Sequence, residues 1–231
     1  MWYLEKPSEK DLNAYKALFY DKIQKKIEKK IEKDSCFKIL LEEDNIEKLL
    51  ISEPKELYEL NKDLMKKITG YYPDDPVEYK GNDKVKKLQE IFNYNTLISG
   101  NKDNSYKIAE IKGRNTCTYC NRQYTITLKE DGEFITRPQF DHWFPKSEYP
   151  LLALSFYNLI PSCHICNSNV KGKTEFKLDT HFHPYNPSSN LKATFSYNHK
   201  SYDDYKIKIN TEDKFALDSV EAFQLENIYQ A

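Results

Sequence analysis

The chain has 231 residues and a formal net charge of −1, with 35 Lys and Arg against 36 Asp and Glu. A chain of this length can bury a hydrophobic core, so its fold does not require a disulfide framework. The charges are too evenly balanced to indicate a polyanion partner, and no apolar stretch approaches the roughly 18 residues that span a bilayer. Because the N-terminus also lacks the pattern of a secretory signal, we expect a cytoplasmic protein with no membrane partner.

The first hundred residues are predicted to be helical, because apolar residues recur at spacings of three and four. Ser8 and Asp11 resemble a capping box at the start of the first helix. The residues that follow include one apolar stripe, made of Tyr15, Phe19, Ile23, Ile27 and Ile31. A second helix is predicted from a Ser52 cap, through Pro54 in its first turn, to Gly70.

After a loop at 71–81, a further helix is marked by its own apolar stripe, made of Val85, Leu88, Ile91 and Phe92. Beyond Gly113 the pattern alternates as in a strand, from Tyr124 to Leu128, and Asp131-Gly132 predicts a hairpin turn. Further short strands are predicted at 191–197 and 205–209, and a helix at 219–230. The chain ends inside that helix without a glycine cap, which is typical of a truncated C-terminus.

Four of the five cysteines form two C-x-x-C pairs, Cys117 with Cys120 and Cys163 with Cys166, about forty residues apart. In a reducing cytosol such pairs indicate metal ligands rather than disulfides. Four thiolates complete a tetrahedron around zinc and leave no open position for water. We therefore predict a structural zinc ion that holds the intervening loop, with Cys36 left over and His164 outside the ligand set.

The loop between the pairs carries the segment Asp141-His142-Trp143-Phe144-Pro145, and later Asn158-Leu159-Ile160-Pro161, while Asn167 directly follows the second pair. The order of these D-H-x-x-P, N-L-x-P and C-x-x-C-N segments resembles that of HNH endonucleases of the four-cysteine, ββα-metal kind. The resemblance runs from Arg114 to about Lys177.

The resemblance implies that His142 takes a proton from water, that Asp141 holds a divalent ion and that Asn158 braces the loop carrying His142. The final metal-binding position, often a histidine in the family, falls on Asn167. An amide oxygen is a hard ligand, so we expect Mg²⁺ or Mn²⁺ at Asp141 and Asn167. Imidazole suits the role of base because it is unprotonated near neutral pH and still basic.

Lys146, Lys171 and Lys173 are the predicted substrate-binding residues, near the phosphate that is cleaved. Basic side chains modestly outnumber acidic ones between positions 111 and 177, which permits such contacts. Lys171 should share a helix face with Asn167 at i,i+4. In familiar family members the lysine follows the asparagine by three positions instead, so this chain departs from the pattern by one residue.

Several of these residues also have plainer interpretations. Asp141 alone could be a helix cap and His142 alone a satisfied buried histidine, but the joint pattern favours catalytic roles. His181 and His183 could reach the site, although a structural turn around Pro184 is favoured for His183. Core packing is favoured over stacking on bases for the aromatic residues of the motif region, which are Trp143, Phe144, Phe156 and Tyr157.

The sequence thus predicts an α+β protein with a helical N-terminal region (1–110), an HNH nuclease core (111–180) and a C-terminal strand and helix extension on that core (181–231). The predicted activity is metal-dependent hydrolysis of DNA, with RNA as the alternative substrate. Similar HNH proteins with helical leaders resemble effectors of bacterial anti-phage defence systems such as Septu or retron-associated sets. That resemblance implies an antiviral role beside an ATPase partner.

Two other functions stay open at this point. A non-catalytic zinc module would keep the zinc ion and bind nucleic acid or protein, but it would have no need of His142, Asp141, Asn158 and Asn167 together. A latent nuclease would act only after a partner ATPase organises its site or presents its substrate, which agrees with the near-zero net charge.

Overall fold

The computed structural model describes residues 3–72, 81–172, 174, 176–186, 193–202 and 204–231. Helices and small antiparallel strand pairs make up these ranges, which confirms the predicted α+β class. Most of the predicted loop at 71–81, the start of the strand predicted at 191 and Lys173 lie outside the described residues. Within the described ranges, no helix has both the length and the apolar content needed to cross a bilayer.

The chain divides into two compact units. One, here called the helical unit, consists of Pro7–Lys112 and His142–Leu159, and the other, the cysteine unit, consists of Met1–Lys6, Gly113–Asp141 and Ile160–Ala231. The boundary therefore passes between Asp141 and His142. The division into three regions predicted from the sequence stays a prediction.

The helical unit begins with two helices that share one buried stripe. Its helices are α1 (Glu9–Ala17), α2 (Tyr20–Ile31), α3 (Asn45–Ile51), α4 (Pro54–Thr69), α5 (Asp83–Ile91) and α6 (Lys102–Lys112). The predicted capping box at Ser8 and Asp11 is confirmed, with both reciprocal bonds present. Tyr15, Phe19, Ile23 and Ile27 are fully buried, but the stripe spans two helices because the chain breaks at Leu18 and Phe19.

Helix α4 ends at the predicted residue but begins one residue later than the sequence predicts. Gly70 takes the left-handed conformation at φ 84° and its N–H donates to Lys66 O at 2.9 Å, which ends the helix. The N-cap is Glu53 rather than the predicted Ser52, because Pro54 occupies the first helical position and the cap must directly precede it.

The rest of the helical unit is joined by short, tight segments. These are 3₁₀ turns at Ser35–Leu41, Pro150–Leu152 and Phe156–Asn158 and a π-helix at Asn95–Ser99. The apolar stripe predicted for α5 is confirmed, since Val85, Leu88, Ile91 and Phe92 are all buried.

In the cysteine unit, β1 (Leu128–Glu130) and β2 (Glu133–Thr136) form the predicted hairpin. Asp131 and Gly132 have φ of 49° and 84°, and positive φ at both positions is what a type I′ turn requires. The strand starts at Leu128 and not at Tyr124 as expected. Tyr124 makes an isolated bridge to Thr116 and is 83% exposed, so it has no buried face to extend the alternation.

Strand β3 (Gln139–His142) pairs with β4 (Leu159–Ser162), and a π-helix at Ile165–Lys171 follows. The C-terminal part contains β5 (Thr194–Ser201) and β6 (Asp204–Asn210), which pair antiparallel, followed by α7 (Lys214–Ala222) and α8 (Leu225–Gln230). The single helix predicted at 219–230 is wrong, because Gln224 adopts φ 47° and separates α7 from α8.

Replacing Gly70 by alanine should lower the free energy of unfolding by about 1 kcal/mol, because alanine is strained at positive φ. Gly81→Ala is the matched control, since Gly81 does not have positive φ and no atom lies within 4 Å of an added Cβ at either glycine. Urea denaturation of both variants measures the difference. Equal loss in the two variants would contradict this account of the α4 terminus.

Candidate functional site

The four paired cysteines come together in the cysteine unit. Their sulfur atoms all lie within 4.8 Å of one another and all four residues are buried. Among the described residues, no other group of three or more His, Cys, Asp or Glu side chains has this proximity. The predicted ligand set is therefore confirmed as a cluster, and Cys36 lies outside it.

The donor chemistry of the cluster fits zinc. Backbone amides point at two of the sulfurs, Arg122 N–H donating to Cys120 Sγ at 3.5 Å and Cys166 N–H to Cys163 Sγ at 3.4 Å. Hydrogen bonds among the four sulfurs lower the pKa of Cys120 and Cys163 and raise the pKa of Cys117 and Cys166, so the metal-free sulfurs share their protons unequally. Four cysteines at these distances would hold Zn²⁺ as thiolates in a closed structural site.

His164 is not part of this cluster, as predicted. It lies between two of the cysteines in sequence, but its ring is exposed and Nδ1 accepts from Gln139 Nε2 at 3.1 Å. Gln139 also accepts from Asn167 Nδ2 at 2.9 Å through Oε1. The start of β3 is thus held to the segment around the second cysteine pair by one glutamine side chain.

Asp141 is buried and fully engaged within the cysteine unit. Its Oδ2 accepts from the Tyr119 hydroxyl at 2.5 Å, and Lys171 Nζ lies 2.9 Å from Oδ2 and 3.1 Å from Oδ1. The side chains of Lys171 and Asp141 are 3% and 6% exposed. Burial, followed by repulsion from Asp141, raises the pKa of Tyr119 well above its usual value, so its hydroxyl stays protonated and donates.

Asn167 and Lys171 lie on one side of the π-helix, as predicted from their spacing. Asn167 contacts Gln139 and Lys171 contacts Asp141, and positions 139 and 141 project from the same face of β3. One helix face therefore meets one strand face. The described contacts place the Lys171 ammonium on the carboxylate of Asp141 rather than in solvent.

His142 lies in the helical unit, with 8% of its surface exposed. Its Nε2 is 3.0 Å from Ala153 O, and the ring packs edge-to-face on Tyr94 with centroids 4.5 Å apart. Because a carbonyl oxygen can only accept, Nε2 of the neutral ring donates and Nδ1 carries the lone pair. The imidazole is thus fixed in orientation and tautomer.

Asn158 braces the loop that follows His142. Its Oδ1 accepts from Phe144 N–H at 2.7 Å, and its Nδ2 donates to Phe144 O at 3.1 Å and to Leu152 O at 2.9 Å. The backbone is also tied, since Trp143 N–H donates to Asn158 O at 3.0 Å. A fully buried amide that makes three bonds to one loop holds that loop in a single conformation.

The aromatic residues of the motif region pack inward as expected. Trp143, Phe144, Phe156 and Tyr157 are each 3% exposed or less, so they build the core rather than a stacking surface. His183 is buried in a turn, where its Nδ1 accepts from Tyr185 N–H at 3.3 Å, and His181 stacks on Phe176. Both histidines have local structural contacts within the cysteine unit.

Several contacts of the site residues were not anticipated from the sequence. For Tyr119, its position inside the first cysteine pair was a sequence signal that it lies near the site. No feature of the sequence indicated that Tyr94 or the Ala153 carbonyl would contact His142. Lys146 Nζ lies 5.5 Å from the centroid of the Tyr94 ring and is exposed. Roles in phosphate binding for Lys146, Lys171 and Lys173 stay predictions.

The chain is distantly similar to a protein of a bacterial defence system. The chain is 29% identical over 118 residues to the Septu protein PtuB of Bacillus thuringiensis. The matched segment is 50% of this chain and 42% of that protein. No family model matches the chain, and no solved structure matches it significantly.

The purified protein should contain one zinc ion per chain, measured by elemental analysis, because the four sulfurs form one tetrahedral donor set. Cys163→Ser should lose the ion and the fold of the cysteine unit with it, whereas Cys36→Ser should keep both. Circular dichroism with and without a zinc chelator reports the fold. Native spectra after complete zinc removal would refute the structural role of this centre.

Lys171→Met should destabilise the protein by about 3–5 kcal/mol, because it leaves a buried carboxylate without its counterion. Adding Asp141→Asn to this variant should recover most of the loss. Lys177→Met is the control, since Lys177 is exposed and surface changes have effects within about 0.5 kcal/mol. Urea denaturation of the zinc-loaded protein provides the measurement, and equal stability of the two single variants would contradict the ion pair.

Proposed function

We propose that this protein is a metal-dependent endonuclease that hydrolyses phosphodiester bonds of DNA, with His142 as general base. The observation that carries the proposal is the state of His142. Its Nε2 donates to the Ala153 carbonyl, which leaves the lone pair on Nδ1, and the loop that follows it is braced by Asn158. A base needs this kind of fixed orientation and defined tautomer to take a proton from water.

Asp141 and Asn167 are the residues that would hold a catalytic divalent ion. Both offer oxygen ligands, which suit Mg²⁺ or Mn²⁺, and Mg²⁺ commonly uses one or two carboxylates together with substrate phosphates and water. The Lys171 ammonium now neutralises Asp141, so an ion at this carboxylate would share it with Lys171 or displace that ammonium. The donor chemistry fits such an ion.

A bound divalent ion would supply charge neutralisation for the departing oxygen of the phosphodiester. The chain itself supplies the proton acceptor at His142 and the bracing of its loop by Asn158. Tyr119 and Lys171 orient the Asp141 carboxylate through three contacts, so that carboxylate cannot rotate freely. Lys146, which is exposed in the same loop as His142, is suited to bind a backbone phosphate.

The likeness to a Septu protein supports a role in anti-phage defence for this chain. A defence nuclease must stay harmless until infection, and a partner such as an ATPase would provide that control. The ion pair at Asp141 and the 8% exposure of His142 agree with a latent site that a partner opens. Activation by a partner is therefore part of this proposal.

A non-catalytic zinc module is the second candidate, and one observation favours it. The Asp141 carboxylate is already used in a buried ion pair with Lys171, which a purely structural role would explain. The three hydrogen bonds of Asn158 would serve either function. The contacts of the buried His142 ring would also serve either function, so the activity of a His142 variant distinguishes the two candidates.

His142→Ala should lower plasmid cleavage in Mg²⁺ or Mn²⁺ by about 10²- to 10⁴-fold, the usual contribution of a general base. His199→Ala is the matched control, because His199 is exposed on β5 and should leave cleavage unchanged. Zinc content is measured in parallel to show that the metal cluster is intact in both variants.

The same assay is repeated in the presence of an ATPase of the kind that the resemblance implies as partner, to test latency. Cleavage that is equal in wild type and His142→Ala, with and without the partner, would rule out the nuclease and favour the binding module. Cleavage by wild type that appears only with the partner would support the latent form.

A further inference from the structure

A cavity of about 320 Å³ lies in the helical unit, next to His142. Tyr94 and Ala153 form part of its wall, and both also contact the His142 ring. The cavity, here called the Tyr94 cavity, is lined by residues from 89–95 and from 146–153. Its size falls at the small end of ordinary ligand sites.

The backbone holds Tyr94 rigidly at the cavity wall. Tyr94 directly precedes the π-helix Asn95–Ser99, and such short π segments are frequent at functional sites. Asn93 caps this segment, its Oδ1 accepting from Thr96 N–H at 2.9 Å. Gly100 allows the backbone to turn tightly at the end of the π-helix, because a Cβ there would lie 2.8 Å from Asn95 O.

The chemistry of the cavity wall selects a ligand class. Tyr94 provides aromatic surface, while the amides of Gln89 and Asn95 can donate and accept hydrogen bonds. Lys146 supplies a cation 5.5 Å from the Tyr94 ring. Among the described residues that line the cavity there is no carboxylate, which disfavours a cationic ligand. An aromatic, hydrogen-bonding and anionic ligand fits this wall.

We infer that the Tyr94 cavity binds one unstacked nucleobase of the DNA strand, beside the phosphate attacked by the water molecule that His142 deprotonates. This inference rests on the proposed nuclease function and adds a binding subsite to it. Tyr94 stacks on the base, the amides contact its edge, and Lys146 binds the adjoining phosphate. The subsite positions the scissile phosphate close to His142, because the two share Tyr94 and Ala153.

Binding of fluorescein-labelled single-stranded DNA, measured by anisotropy without added divalent ions or chelator, tests the subsite. Tyr94→Ala should weaken binding by about 5- to 100-fold, the range for loss of one base–aromatic stack. Tyr94→Phe keeps the ring and should bind as wild type does. Tyr124→Ala is the control, because Tyr124 is 83% exposed in the other unit and should leave affinity unchanged.

Abasic DNA gives a second measurement that does not depend on a variant folding. One abasic position in the oligonucleotide should weaken binding to wild type as much as Tyr94→Ala does, and should add no further loss in that variant. Lys146→Gln should weaken binding. It should also reduce the slope of log K against log salt concentration by about the amount expected for one phosphate contact.

The outcomes separate this subsite from the nuclease itself. One outcome is that DNA cleavage depends on His142 but that, at every abasic position, the loss of affinity is the same in wild type and in Tyr94→Ala. That outcome would overturn the subsite and leave the proposed function standing. Absence of both DNA binding and cleavage, with the partner present, would overturn both.

Discussion

The four-cysteine cluster is the constraint on which the cysteine unit depends. Two C-x-x-C pairs about forty residues apart must return to one point, and their sulfurs lie within 4.8 Å of one another. Four buried thiols without a metal would have to share hydrogen bonds, whereas a bound Zn²⁺ satisfies all four at once. The segments on each side of the pairs, including β3 and the π-helix at Ile165–Lys171, are positioned by this closure.

The polar residues of the motif region are buried and are paired there. Asp141 has a cation and a hydroxyl donor, and Asn158 uses both ends of its amide on one loop. Buried polar groups are costly to leave unsatisfied, so a set of this kind specifies one arrangement of the backbone. The same precision serves a nuclease, in which the base and the metal ligand must be correctly oriented before the substrate arrives.

The Lys171–Asp141 pair bears both on stability and on the proposed function. A buried ion pair is weak evidence for added stability, since desolvation of the two charges offsets much of their attraction. At the predicted metal ligand, the pair keeps the Asp141 carboxylate in place without a divalent ion, which either a structural role or the proposed latent site would use. In that state the carboxylate is oriented and neutralised, as the proposed latent nuclease requires.

Local sequence signals determined the parts of this protein that depend on neighbouring residues. The capping box at Ser8, the left-handed Gly70 and the Asp131-Gly132 turn all follow from the conformational preferences of a few adjacent residues. The cysteine cluster also could be predicted, because two C-x-x-C pairs at this spacing are typical of one tetrahedral zinc site. The predictions that failed concerned the ends of elements. The strand does not begin at Tyr124, because that side chain is exposed, and the last helix is interrupted by the positive φ of Gln224.

Only the tertiary structure decided which partners the motif residues have. Tyr119 and Asp141 are 22 positions apart, Lys171 and Asp141 are 30 apart, and Tyr94 precedes His142 by a long stretch of chain. A hydrogen bond or a ring contact depends on distances of a few ångströms, which residue types and spacing along the chain do not specify. The sequence therefore determined the chemical identity of the candidate site, and folding determined how its groups are paired, oriented and buried.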